Sequence, residues 1–372
     1  MTLEELVELL DKTPVIADIH PLSLLYMPAD VTVIPAAVDV AMKLDAPTTV
    51  WPGRWLLTDD DPAFRHRFPR VRVAHDPFTP ALNSVLFEHF EAMAQTMLCQ
   101  SQLAAVISRA AAECDAIILM LIDGLSYENA RQWCGQHAPL WSLEPCLVDV
   151  PTITSIAFPN AIGAPSVAER LFDRGFHRRI GFTYWTREDN ELTNLLFRSL
   201  PEMHKTGNFD DIVSGARRVV MESATLGKPF IQIVRTGLDG YAHKQKRTPP
   251  VAAIVDEIFQ EFSQLVAISQ EAQRVNGCRT GLFLTADHGI LWQTEFESQV
   301  VGRAPSGASA RYCRWADLFQ QDETGMRFVV GHEEYYCLNY PKVRRPLRID
   351  EQGVHGGVSF QESVVPFIAV RV

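Results

Sequence analysis

Four short apolar runs constrain this chain more than any other feature: Ala116–Ile122, Phe230–Val234, Gly281–Thr285 and Phe367–Val372. Runs this brief, apolar on both alternating faces, are too short for core helices and read as buried strands of a parallel sheet. The residues just after each run strengthen that reading. Asp123-Gly124 and a helical stretch from Tyr127 come after the first. Gly237, Asp239 and Gly240 come after the second, before a periodic helix from Val251 to about Gln273. The third is closed by Ala286-Asp287-His288-Gly289. Strands alternating with helices predict an α/β fold with a doubly wound, mostly parallel central sheet.

Outside these runs the pattern is weaker. From Pro80 to Glu113 apolar residues recur at helical steps (Leu82, Leu86, Phe90, Met93, Met97, Leu103, Ile107). The first ~75 residues hold short apolar runs, Val31–Val40 and Thr48–Leu57, interrupted by prolines, and read as irregular α/β. Residues 1–100 are therefore taken as an N-terminal extension of unknown role. No repeat or low-complexity linker divides the rest.

A chain of 372 residues that is 47% apolar can bury a large core, and no run approaches the ~18 apolar residues of a membrane span. The acidic start Met1-Thr2-Leu3-Glu4-Glu5 lacks the basic and apolar regions of a secretory signal, so the cytosol is the expected location. The seven cysteines form no CxxC pair and predict neither a zinc knuckle nor a disulfide framework. A net charge of -11 argues against a general nucleic-acid-binding surface.

The chemistry lies just past the strands. In open α/β sheets, ligands gather beyond the carboxyl ends of the strands. Asp123, Asp239, His243, Asp287 and His288 fall there, and His355 precedes the last strand within Val354-His355-Gly356-Gly357. Three Asp and three His in one crevice would hold two divalent cations, since clustered carboxylates repel one another without them. Mixed imidazole and carboxylate donors suit zinc, manganese or iron, with zinc first and manganese next. Two such ions can clamp the attacking and leaving oxygens of a displacement at phosphorus. A nucleophile is available in Pro151-Thr152-Ile153-Thr154-Ser155, three hydroxyls at a predicted helix start, where free N–H groups favour a phosphate oxyanion.

These pieces, taken in order, resemble the alkaline phosphatase superfamily, and within it the PglZ-type domains. The resemblance rests on Leu121-Ile122-Asp123-Gly124-Leu125, Pro151-Thr152-Ile153-Thr154, Asp239-Gly240-Tyr241-Ala242-His243, Thr285-Ala286-Asp287-His288-Gly289, and His355-Gly356-Gly357-Val358-Ser359 leading to Glu362 and Val365-Pro366. It covers roughly residues 115 to 372 and implies an alkaline phosphatase-like catalytic domain over 101–372. It implies one cation held by Asp239, His243 and His355, and another by Asp123, Asp287, His288 and the nucleophile. It also implies Thr154 as that nucleophile, phosphorylated and then hydrolysed.

The chain departs from its relatives in places. Diesterase members carry an Asn three residues after the nucleophile, whereas Asn160 stands six after Thr154. The sulfatase context at the nucleophile is missing, as are the serine and large insertion of the cofactor-independent phosphoglycerate mutases.

Asn160 and Lys244 are the candidate substrate contacts, the latter opening the basic run Lys244–Arg247; Arg178, Arg179 and Arg187 are similar candidates. Phe176, Phe182, Tyr184 and Trp185 are candidates for stacking on a base or sugar, or for core packing. His332 reads as structural or pocket-lining. The expected activity is a phosphatase or phosphodiesterase acting on a small or medium phosphate ester, with nucleic acid not favoured. The alternatives are a PglZ-type phage-defence or interaction module working within a complex, and a biosynthetic phosphotransferase.

Overall fold

The computed structural model describes residues 48–51, 54–57, 83, 86–88, 90–184, 190–243, 251–293, 296–304, 308–317, 324–348 and 350–372. The chain divides into two compact units: Leu98–Ile290 with Val365–Val372, and Met1–Met97 with Leu291–Val364. No described helix is long and apolar enough to cross a membrane.

The chain is described first at an antiparallel hairpin of β1 (Thr48–Trp51) and β2 (Arg54–Leu57), followed by helix α1 (Phe90–Thr96). The single helix expected over Pro80–Glu113 is interrupted. β3 (Leu98–Cys99) separates α1 from α2 (Gln100–Ala110), because Leu98 and Cys99 pair in parallel with Cys146 and Leu147. Ladder pairing overrides helical periodicity there. Val31–Val40 lies outside the described residues.

The larger unit continues with β4 (Ala116–Asp123), α3 (Tyr127–His137), β5 (Ser142–Leu147), α4 (Thr154–Ile162) and α5 (Val167–Phe172). Then come β6 (Arg178–Tyr184), α6 (Asn190–Phe197), β7 (Glu202–Lys205), α7 (Phe209–Met221) and α8 (Ser223–Leu226). β8 (Pro229–Thr236), the one-turn α9 (Asp239–Ala242), α10 (Val251–Asn276) and β9 (Thr280–Ala286) close this stretch. α5 is started by a capping box: Ser166 Oγ accepts from the Glu169 amide at 3.2 Å, and Glu169 accepts from the Ser166 amide at 2.8 Å.

The eight-stranded sheet runs β3-β5-β17-β9-β4-β8-β6-β7, where β17 is Val364–Arg371. β4 is parallel to both β8 and β9, and β6 is parallel to β8 and β7. β17 runs antiparallel to β9, with Phe367 opposite Thr285, so the sheet is mixed but mostly parallel. All eight residues of β4 are buried, as a central strand covered on both faces requires.

The smaller unit adds strands that carry no periodic signal in the sequence. They are β10 (Leu291–Trp292), β11 (Gln299–Val300), β12 (Tyr312–Arg314), β13 (Gly325–Val330), β14 (Glu333–Leu338), β15 (Lys342–Val343) and β16 (Gly353–Val354), then helix α11 (Phe360–Ser363). β12, β14 and β13 form an antiparallel sheet, and β10 pairs with β16. Leu291, Phe296, Ala310, Tyr340, Val343 and Val354 form one apolar cluster of this unit, and Cys313, Tyr336 and Leu338 another.

Candidate metal centre

The register of the parallel ladder brings the acidic residues together. Ile122 of β4 lies opposite Ala286 of β9, and Asp123 opposite Thr236 of β8. Asp123 therefore ends its strand at the level where Asp287 and His288 leave theirs. The three side chains are 2%, 0% and 0% exposed, and each offers a ligand atom within 4.8 Å of the others.

Two glycines allow the loop after β8, which carries Asp239, to approach the end of β4. Gly124 has φ of +82°, a left-handed conformation that side chains resist, and a Cβ there would lie 2.9 Å from the Asp239 amide nitrogen. A Cβ on Gly237 would lie 2.4 Å from the Asp123 carbonyl oxygen and 2.6 Å from that of Gly124. The loops after β4 and β8 can touch only because both positions lack a side chain. The Leu238 amide donates to Gly124 O at 2.9 Å across that contact.

Backbone groups aim the ligands. Asp287 Oδ1 accepts from the amides of Gly124 (2.9 Å) and His288 (2.8 Å), and its Oδ2 stands 3.3 Å from His288 Nε2. His288 Nδ1 lies 3.0 Å from Gly289 O, a contact that requires the proton on Nδ1. The Nε2 lone pair then faces Thr154 Oγ1 at 3.2 Å. Thr154 is the first residue of α4, buried at 4%, and Ile153 precedes it as the helix cap. Of the three candidate hydroxyls, Thr152 is buried and Ser155 is exposed.

Asp239 opens α9, and His243 comes directly after its last turn, with Nε2 3.0 Å from Asp239 Oδ1. Asp239 is buried and His243 half-buried. His355 belongs to the smaller unit, half-buried just after β16. Its loop is held by a buried ion pair. Arg311 donates to Glu362 through Nε (3.0 Å) and Nη2 (2.6 Å), and both residues are fully buried. Glu362 also accepts from the Gly357 amide (2.9 Å) and from Ser359 Oγ (2.6 Å). The donor set Asp123, Asp287, His288 and Thr154, carboxylate, imidazole and hydroxyl with no thiolate, fits zinc or manganese.

The remaining candidates divide. Asn160 is half-buried on α4, about 9 Å further along the axis than Thr154 and turned from it by about 240°. Arg178 and Arg179 start β6, with Arg178 opposite Pro229 at the start of β8, and so lie at the amino edge, away from the ligands. Arg178 pairs with Glu222 at 2.8 Å, and the Arg179 guanidinium lies 4.6 Å from the Phe172 ring centre. A role for either on the substrate is set aside for that reason. Phe176 and Phe182 are core residues, and His332 is exposed in the turn between β13 and β14. Lys244, the rest of its basic run, Arg187 and Trp185 lie outside the described residues. The seven cysteines are buried and free. Burial, followed by the charge of Asp149, pushes the Cys99 thiol up to about 12, far from the thiolate a metal would bind.

Sequence reasoning missed Gln100, Asp149 and Arg311. Each is a single polar residue with no periodic or motif signal, and each acts through partners distant in the chain.

No protein-family model matches the chain, and no curated protein matches it. Solved structures are similar in part. Murine ectonucleotide pyrophosphatase/phosphodiesterase 5 superposes with a TM-score of 0.46 at 9% identity, covering 68% of this chain and 87% of that one. Phosphonoacetate hydrolase from Sinorhizobium meliloti, in complex with phosphonoformate, gives 0.43 at 12% identity, over 68% and 89%. The C-terminal periplasmic domain of EptC from Escherichia coli gives 0.36 at 11% identity over 48% of this chain, which spans 64% of that domain.

Proposed function

We propose that the protein is a two-metal phosphoric ester hydrolase of the alkaline phosphatase superfamily, PglZ-type, working through a phosphorylated Thr154. The observation that carries this reading is the buried meeting of Asp123, Asp287 and His288 with the Thr154 hydroxyl, 3.2 Å from His288 Nε2. Asp123, Asp287, His288 and Thr154 would hold one cation, and Asp239, His243 and His355 the other. Bound there, divalent cations would supply Lewis-acid polarisation of a phosphoryl oxygen and ease ionisation of a hydroxyl. The chain's own part is orientation. Thr154 at the start of α4 would present its oxygen to the phosphorus, and the positive end of the α4 dipole would favour the non-bridging oxygens. Lys244, next to His243, would meet the substrate phosphate. Seven buried free thiols favour a reducing, cytosolic setting.

The test is metal analysis of protein purified without chelator, beside hydrolysis of nitrophenyl phosphate and bis-nitrophenyl phosphate. About two zinc or manganese ions per chain with turnover of either ester is expected. Asp287→Ala should lose metal and all turnover. Thr154→Ala should keep the metal and lose turnover on the order of 10³-fold or more. A chain that neither binds these metals nor turns over either ester would overturn the proposal. Products formed with an added acceptor alcohol separate hydrolysis from phosphotransfer.

A further inference from the structure

The first turn of α2 touches two loops that the ligands and the hydroxyl depend on, and no motif marks it. Gln100 is fully buried, and its Nε2 donates to the carbonyl oxygens of Ala286 (2.9 Å) and Asp287 (2.6 Å). Those carbonyls bracket the residue whose carboxylate faces His288. One side-chain amide therefore directs both its protons to the two peptides that flank Asp287.

The neighbouring residue reaches the other way. The Ser101 amide donates to Asp149 Oδ2 at 2.8 Å, and Ser101 Oγ to Asp149 Oδ1 at 3.3 Å. Asp149 lies between β5 and Thr154, in the loop that delivers the candidate nucleophile. The turn is itself fixed in two ways. Leu98 and Cys99 pair with Cys146 and Leu147, and the Cys99 amide donates to Gln102 Oε1 at 3.2 Å. Behind it, α2 lies close against the end of α4: a Cβ on Gly163 would come 2.6 Å from Ala104 Cβ. Two adjacent residues of one rigid turn thus join the Asp287–His288 loop to the Thr154 loop.

We infer that Gln100 is a positioning residue for the metal centre, fixing the two peptides that aim Asp287 and His288, with Ser101 and Asp149 holding the nucleophile loop to the same turn. This inference rests on the two-metal reading above. A carbonyl-anchored strand end limits the directions in which the following carboxylate and imidazole can point, and groups that orient metal ligands in this way govern affinity as well as activity. Gln100 suits the task because only an amide of this length brings two protons and no charge to two carbonyl oxygens.

The experiment is a zinc titration against a chromophoric chelator, using chelator-stripped protein. Wild type, Gln100→Met, Gln100→Asn and Asp287→Ala are compared, with the melting temperature of each stripped form. Gln100→Met keeps the volume and removes both donors. Gln100→Asn keeps the amide but shortens its reach, and stands in should the Met variant fold poorly. Zinc affinity at one site should fall about tenfold or more in both, as for other groups that orient ligands. With nitrophenyl phosphate, kcat should drop in step while KM holds. A variant that melts lower but binds zinc as tightly as wild type would reduce Gln100 to a packing role and overturn the inference. If Asp287→Ala binds zinc like wild type, the two-metal reading itself fails, and the inference with it.

Discussion

The two units hold their candidate ligands by different physical means. In the larger unit, Asp123, Asp287 and His288 sit at the ends of hydrogen-bonded parallel strands, so their meeting arises from ladder register. In the smaller unit, His355 lies on a glycine-rich loop held by the buried pair of Arg311 and Glu362. A ladder distributes its hold over many backbone bonds. An ion pair concentrates it in two side chains, and removing either leaves the other charged and buried.

That contrast can be broken most severely in the smaller unit. Glu362→Ala should cost about 3–5 kcal/mol in urea denaturation, because Arg311 is left uncompensated, whereas joint replacement by Met at both positions should recover much of the loss. A mild effect of the single change would mean that the loop is held by something else. A smaller loss is expected in the larger unit. Gly237→Ala places a Cβ against the Asp123 and Gly124 carbonyls and should cost about 1–3 kcal/mol, with the metal centre disturbed in the same variant.

The weakest effect separates the units by the sign of their response to acid. Burial alone would raise the Glu351 carboxyl, but hydrogen bonds from Arg345 and the Arg348 amide, with the Arg345 charge, hold it below its ordinary 4.5. Its contribution to stability is therefore present above that value and lost as pH falls through the lowered one. Asp149 is the reverse case: burial raises its carboxyl above 3.8, against the opposing hydrogen bonds from Ser101. Protonation of Asp149 favours the folded state, so stability is gained as pH falls from the raised value toward 3.8. Denaturation between pH 7 and 3 should show Glu351→Gln destabilised by about 1–3 kcal/mol at pH 7 and converging on wild type in acid. Asp149→Asn should be unchanged or slightly more stable at pH 7, by less than about 1 kcal/mol.

The same contrast explains which parts of the molecule are legible in the sequence. A strand buried on both faces leaves a continuous apolar run, and the carboxylate after it is recognisable because the fold's geometry is general. Asp123 and Asp287 are legible for that reason. β17 is recognisable as a strand but not as antiparallel, since direction depends on the connection rather than on composition. The short strands between residues 291 and 354 leave no alternation long enough to detect, and two-residue pairings such as β10 with β16 carry none. Gln100 and Arg311 are invisible for a related reason. A buried polar residue is defined by its partners, and theirs lie 186 and 51 positions away.

The place of β17 has a consequence for synthesis. It fills the gap between β5 and β9, although about 80 residues separate it from the end of β9. At translation rates of about 5–20 residues/s, those residues take some 4–16 s to emerge. Through that interval a nascent chain on the ribosome exposes two open strand edges beside the run that ends in Asp287, and such edges recruit other chains. Chaperone capture during elongation would then limit how much folded protein a cell obtains.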